Sequence, residues 1–360
     1  MQVWKVNVKK EVVASTTTDF IYTGDRYTKT ILNAYDATTG KKVWGFIPNA
    51  AANTDSDNAP YVSDGIVYIS GNDKNMYAVD AKTGTKIWQY PVNTNNTYPV
   101  SVNGVLYGVS YDDGKVYALD AKTGTKKWSI VLAEYSLSNP VVINNILYTS
   151  VGTSGTSGIV YALDAATGQI KWKQASNVSG SDVCVSNDLV FVVNGDFGIT
   201  ALDANTGVLK WKVGDDKNSP DRNKQTTLNG ILYTTTYSSL SIVAMDAKTG
   251  VRKWITKNTS KNYTQGSPIG VDGLIYTVDA GGTCYALDAD TGTIKWSVAD
   301  FALFDVGPIV ANNLVYSAKG AIDAKTGASK LTFPSGISGS RLALWINGKA
   351  YHSSMSGEVQ

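Results

Sequence analysis

The sequence predicts an all-β fold, a single β-propeller of four-stranded antiparallel blades over residues 1–360, and three observations carry that expectation. A phrase of the form Val-Tyr-Ala-Leu-Asp-Ala-Lys-Thr-Gly-x-x-x-Trp returns along the chain. Its aspartates are Asp36, Asp80, Asp120, Asp164, Asp203, Asp246, Asp288 and Asp323, spaced 35 to 44 residues apart. Each period also holds four short runs rich in Val, Ile, Leu and Tyr, separated by Gly, Asn and Asp clusters, which is the pattern of strands and tight turns. Finally, helical periodicity over a useful length is absent, which argues against a helical solenoid, and a parallel β-helix has a much shorter coil. A period of about 40–45 residues with four strands per unit is that of a propeller blade.

The third unit shows the order of the elements. Tyr98–Asn103, Val105–Ser110, Lys115–Asp120 and Lys126–Val131 read as its first to fourth strands. Between the third and fourth, Asp-Ala-x-Thr-Gly closes a hairpin. The aspartate can accept hydrogen bonds from backbone N–H groups two residues on, and the glycine supplies the positive φ that the turn needs. Eight residues after the aspartate stands a tryptophan in seven units: Trp44, Trp88, Trp128, Trp172, Trp211, Trp254 and Trp296; the eighth has Leu331. On the outermost strand such a ring fills the gap between neighbouring blades. The aspartates and tryptophans are therefore expected to turn and dock the chain rather than to carry chemistry.

The ends add one more unit. Residues 1–8 carry Trp4, 40 residues before Trp44, and read as a fourth strand with no preceding three. Ser340–Ile346, Gly348–Ser353 and Gly357–Gln360 read as first, second and truncated third strands with no fourth. Placing the N-terminal strand outside the C-terminal three completes a blade and hides an open sheet edge. First strands begin near Val12, Ala59, Tyr98, Asn139, Ser181, Lys224, Gly266, Val306 and Ser340. That tally favours nine blades. Eight is the alternative, should the short eighth unit with its hairpin Tyr316–Asp323 fail to form.

Composition narrows the function. Apolar residues make up 43% of the chain, enough for a large core, and charged residues only 17%, against about 25% in an average soluble protein. With 32 basic and 30 acidic residues, a net charge of +2 gives no general attraction to nucleic acid or an anionic membrane. No uninterrupted apolar run is long enough for a transmembrane helix. One His and two Cys exclude a histidine-rich metal site, a zinc ribbon and a disulfide-stapled miniprotein.

The string Ala118-Leu-Asp-Ala-Lys-Thr-Gly-Thr-Lys-Lys-Trp128 resembles the tryptophan-docking motif of quinoprotein alcohol dehydrogenases, and of the wider family of pyrroloquinoline-quinone-like (PQQ-like) repeat propellers. The resemblance covers nearly the whole chain and implies the fold. For function it implies two branches. Some members are dehydrogenases that hold the quinone and a calcium ion in a central funnel; others carry the repeats alone, among them envelope and surface proteins. The quinone-binding members close a ring from two adjacent cysteines, whereas Cys184 and Cys284 lie far apart here. The dehydrogenases also have insertions that build the funnel, and nearly every residue here is spent on minimal repeats. Neither PQQ nor Ca2+ is therefore expected, and the resemblance places this chain on the non-enzymatic branch. No lipid-attachment Cys stands near Met1 and no signal peptide follows it.

Other candidates have plain structural readings. Asp55 and Asp57 in one loop, and Asp215, Asp216 and Asp221 in another, offer oxygens to calcium but lack the EF-hand spacing, so solvated loops are expected. Glu134 and His352 have no partner that would make an acid or a base of either, and no Gly-x-Ser-x-Gly elbow occurs. Gly152–Gly158 lacks the lysine of a phosphate loop and reads as a hairpin turn. What remains is aromatic. Tyr98, Tyr135, Tyr263 and Phe301, with Phe304, lie on or beside the fourth-to-first-strand connections. In propellers these connections share one face with the second-to-third-strand turns, here carrying Tyr27, Tyr111, Phe197 and Tyr237. Flat rings on such a face can stack on sugars or peptides.

The expected function is a non-catalytic binding or scaffolding propeller at a cell surface, in the extracellular space or in the periplasm, with a protein or glycan partner and self-association as a further option. The alternatives are a PQQ-dependent dehydrogenase-like enzyme and a polysaccharide-active or polysaccharide-binding propeller. Neither nucleic acid nor membrane insertion is expected.

Overall fold

The computed structural model describes residues 6–7, 11–16, 19–25, 31–36, 41–48, 60–93, 99–110, 112–132, 138–152, 158–176, 183–193, 198–213, 220–236, 241–257, 268–279, 281–299, 301, 308–311, 313–317, 320–332, 342–346, 349–353 and 358–359. Every regular element among them is a strand. The strands form nine four-stranded sheets. Eight take their strands in chain order; the ninth runs Leu342–Ile346, Lys349–Ser353, Glu358–Val359 and then Val6–Asn7. The N-terminal strand thus lies outside the C-terminal three, antiparallel to the last, with Val6 opposite Val359 and Asn7 opposite Glu358. The short eighth unit also forms a complete sheet, from Ile309–Ala311, Leu314–Ser317, Gly320–Asp323 and Ser329–Thr332.

Packing of the backbone in space separates two compact units: Met1–Val151 with Leu163–Ile170 and Leu342–Gln360, and Gly152–Ala162 with Lys171–Arg341. The first holds the ninth, first, second and third sheets entire; the second holds the fifth to eighth.

Within a sheet, burial follows strand position. In the third sheet, the first strand (Val100–Val102) is half-buried, while the second and third (Val105–Ser110, Lys115–Asp120) are buried on both sides. This explains why they read as near-continuous apolar runs rather than as an alternation. The fourth (Lys126–Val131) is exposed except for Trp128 and the half-buried Ile130. The core lies between sheets. Leu106, Tyr117 and Leu119 pack with Ile66, Tyr68 and Met76 of the second sheet. From the opposite side of the same sheet, Tyr107, Val109 and Val116 pack with Leu147 and Leu163. The first-to-second-strand turns place positive φ at two successive residues, as at Asp64 (50°) and Gly65 (75°), the backbone that suits a tight hairpin.

Candidate binding face

The repeated motif builds a turn and a lock. In the second sheet, Asp80 Oδ1 accepts the backbone N–H groups of Lys82 (3.0 Å) and Thr83 (2.8 Å) and the Thr83 hydroxyl (2.9 Å). The Gly84 N–H donates to the Asp80 carbonyl at 2.9 Å. These bonds favour the ionised carboxyl and hold it below its ordinary range. At Asp203 the Lys210 side chain is the largest cause, followed by Thr206, and the carboxyl falls to about 2.

The tryptophan reaches the turn of the next sheet. The Trp88 indole N–H donates to the Ala121 carbonyl at 3.0 Å, and the ring lies under Gly124, where a Cβ would stand 2.6 Å from Trp88 Cδ2. The same bond joins Trp128 to Ala165, Trp172 to Ala204, Trp211 to Ala247, Trp254 to Ala289 and Trp296 to Ala324. Sequence reasoning missed the second donor on these carbonyls. Tyr68 Oη donates to Ala121 at 3.0 Å, Tyr233 to Ala289 at 3.0 Å and Tyr276 to Ala324 at 3.1 Å. The signal was available as a tyrosine recurring mid-way along the second strand. Trp4 and the Leu331 side chain lie outside the described residues.

At the opposite end of four of the sheets, the second-to-third-strand turn meets the start of the fourth-to-first connection. Val92 N–H donates to the Lys74 carbonyl (2.9 Å), Leu132 to Gly114 (2.9 Å), Ser176 to Gly158 (3.1 Å) and Phe301 to Gly282 (2.9 Å). In each of these four sheets the two kinds of loop therefore lie at the same end. Carboxylates brace it: Asp73 accepts the Asn75 N–H and the Tyr77 hydroxyl, and Asp279 accepts the N–H groups of Gly281 and Thr283 and the Tyr285 hydroxyl. Asp113 Oδ2 pairs with Lys115 Nζ at 2.9 Å and accepts from Asn93 Nδ2 at 3.5 Å, which ties the third sheet's turn to the connection leaving the second. Burial pushes the Asp113 carboxyl up, but Ser110, Lys115 and Asn93 outweigh it and leave it below its ordinary range.

Of the aromatic candidates for this face, Tyr98, Tyr135 and Tyr263 lie outside the described residues, as do Phe304, Tyr27, Tyr111, Phe197 and Tyr237. Phe301 requires a correction. It is only 7% exposed and packs with Tyr276, Val278 and Trp296 in the core of the seventh sheet, pinned by its N–H bond to Gly282, so its ring is not offered to a partner. Asp55, Asp57, Glu134, Asp215 and Asp216 also lie outside the described residues, as do the side chains of Asp221 and His352.

The cysteines fit no redox lid. Cys184 stands on the first strand of the fifth sheet and the buried Cys284 on the third strand of the seventh, neither in a disulfide. Burial pushes the Cys184 thiol up to about 11 and the Cys284 thiol up as well, away from a reactive thiolate. Among the described residues no three His, Cys, Asp or Glu side chains converge. The described donor set does not fit a quinone with its cysteine ring and calcium ligands.

Comparison with known proteins finds similarity over most of the chain. A PQQ-repeat family model described as "Outer membrane protein assembly factor BamB" matches residues 1–141, 112–265 and 238–350. The structure of BamB from Moraxella catarrhalis superposes with a TM-score of 0.58 at 18% identity, covering 100% of this chain and 96% of that one. A europium-containing methanol dehydrogenase gives 0.57 at 18% identity, covering 82% and 81%. A shorter similarity, 34% identity over 68 residues, links the chain to the quinoprotein alcohol dehydrogenase PedH of Pseudomonas putida; it spans 19% of this chain and 11% of that curated relative.

Proposed function

Because the chain belongs to the PQQ-repeat family of the outer membrane protein assembly factor BamB, we propose that it is a non-catalytic binding or scaffolding propeller of the cell envelope or surface. Its partner is a protein, engaged by the face where second-to-third-strand turns meet the fourth-to-first connections. We further propose that residues 1–360 form one propeller of nine blades, held by the docking tryptophans. The observation that carries the reading is the division of labour in each sheet. The motif residues are consumed in turns and locks, while the opposite face is braced at four separate connections by the same backbone bond. A braced face presents side chains at little entropic cost on binding.

The test is a photo-crosslinking residue at Asn93, which is exposed on this face, against one at Asn103 on a first-to-second-strand turn. In cells of the source, Asn93 is expected to capture a defined protein and Asn103 to capture none. Equal capture at both positions, or none at Asn93, sinks the proposal. A glycan array tests a sugar in place of the protein. The similarity to PedH keeps a quinone-dependent dehydrogenase as the second reading; dye reduction on adding quinone and calcium would support it, and neither binding nor turnover would end it.

A further inference from the structure

The fourth strand is the outer edge of each sheet, and the edges differ at one position. The residue before the docking tryptophan (Leu331 in the eighth sheet) is a lysine in the third to eighth sheets: Lys127, Lys171, Lys210, Lys253, Lys295 and Lys330, all exposed. Four of them reach back to the motif aspartate of their own sheet, at 3.0 to 3.9 Å. Paired or not, such a charge must be desolvated before another strand can lie on the edge, and native sheets guard open edges in this way. The first and second sheets have Val43 and Ile87 instead, 48% and 43% exposed. On the first sheet the rest of the outward row is uncharged too. Val43, Gly45 and Ile47 are exposed and alternate with Trp44 and Phe46, which pack inward. Ile47 is 49% exposed. Lys42 stands before the row and Pro48 after it.

We propose that this edge is a self-association site, taken by the same strand of a second copy running antiparallel about a two-fold axis at Gly45. The row is its own complement. Turned about Gly45, Val43 of one copy faces Ile47 of the other on both sides of the axis, two aliphatic cross-strand pairs. Gly45 faces Gly45, where the lack of a side chain lets the backbones approach closely. Lys42 falls opposite Pro48, so no lysine meets a lysine. A two-fold dimer requires this kind of self-matching patch. The other edges fail the same operation. On the second sheet it sets Gln89 against itself and Ile87 against Pro91, which has no N–H to give. On the fourth it sets the exposed Lys173 against itself, a like-charge pair. The register shift between Ala34 and Tyr35 leaves Val43 as a bulge, as at Ile87 and Lys127 in the next two sheets. The ladder to the second copy therefore runs from Trp44 to Phe46, with Val43 and Ile47 in contact at its two ends.

The edge does not depend on the protein-binding reading of the loop face, so cross-linking at Asn93 does not bear on it. The contact is small, and a Kd between about 10 µM and about 1 mM is expected. Sedimentation velocity of the full chain should show monomer at about 1 µM and a growing dimer fraction toward about 1 mM. Val43→Lys installs the guard of the other sheets; it should weaken dimerisation about tenfold or more with an unchanged melt, and Ile87→Lys much less. Gly45→Cys reads the axis. In a Cys184→Ser background, with Cys284 buried, mild oxidation should link two copies through position 45. Ser129→Cys, at the same place on the third sheet, should stay unlinked. If the Gly45 variant melts early, the double variant V43C/I47C replaces it, since those positions face each other across the axis. The proposal is overturned by a monomer throughout that range, by equal weakening from Val43→Lys and Ile87→Lys, by equal cross-linking at the two cysteine positions, or by assembly that grows past the dimer. A different protein captured in cells and lost in Val43→Lys, with the purified chain monomeric, would assign the edge to that protein and overturn it as well.

Discussion

Among the described residues, the alanine carbonyl after the motif aspartate is where neighbouring sheets are fastened. At Ala121, Ala289 and Ala324 it accepts two side-chain donors, an indole N–H and a tyrosine hydroxyl. The fifth sheet departs from this, because the second-strand position there is Phe191. That ring is fully buried and 5.9 Å from Trp211, but it has no hydroxyl to offer the Ala247 carbonyl, which still takes the Trp211 indole. Phe191→Tyr should therefore stabilise the chain by about 1 kcal/mol, one net hydrogen bond, seen as a higher midpoint in urea with unchanged slope. A lower midpoint would mean that the hydroxyl meets a clash absent around Tyr233. The motif glycine can be dissected in the same way. Gly104 and Gly124 both have positive φ, 75° and 70°, but a Cβ on Gly104 meets nothing within 4 Å, while one on Gly124 runs into the Trp88 ring. Gly104→Ala should cost about 1–2 kcal/mol of backbone strain alone. Gly124→Ala should cost about 1–3 kcal/mol more for overpacking, and the difference in denaturation midpoint measures the ring contact.

At the scale of the turn, ionisation sets a pH limit. Asp203 and Asp288 are each lowered from an ordinary 3.8 to about 2, with a lysine as the first cause and a threonine as the second. A carboxyl lowered in the folded state contributes stability that is present above its unfolded value and is lost as pH falls through the folded one. Thermal stability should therefore drop between about pH 4 and pH 2, and Asp203→Asn should make that drop shallower in a series of melts. These turns were legible in the sequence because their determinants are local: Asp, Thr and Gly within five residues. The strand bounds of the third sheet were legible for a similar reason. Val105–Ser110, Lys115–Asp120 and Lys126–Val131 form as read, while the first strand shortens from Tyr98–Asn103 to Val100–Val102. The innermost strand pairs on one side only and is half-buried throughout, so its pattern fixes its ends weakly. What was not legible depends on backbone atoms far apart in the chain. The Tyr276 hydroxyl finds Ala324 across 48 residues, and Phe301 is turned inward by a bond to Gly282 that no local pattern announces.

At the scale of the whole chain, the ninth sheet joins residues from both ends, and its fourth strand comes from the beginning of the chain. Every other sheet receives its fourth strand from the hairpin that the motif aspartate closes, so that strand is delivered by a turn of a few residues. In the ninth it must be delivered across the entire sequence, and no local turn assists it. Loop-closure cost grows only slowly with length, so pairing of Val6–Asn7 with Glu358–Val359 is feasible, but it should be the last ladder to form and the first to open. Removing residues 1–8 would leave Glu358–Val359 as an uncovered edge. The truncated chain should melt at lower temperature and aggregate on heating, and adding the peptide MQVWKVNV in excess should restore the melting temperature in a concentration-dependent way, as a ligand of the folded state does. A scrambled peptide should not. If truncation leaves the melt unchanged, or if both peptides act alike, the N-terminal strand does not complete that sheet in solution.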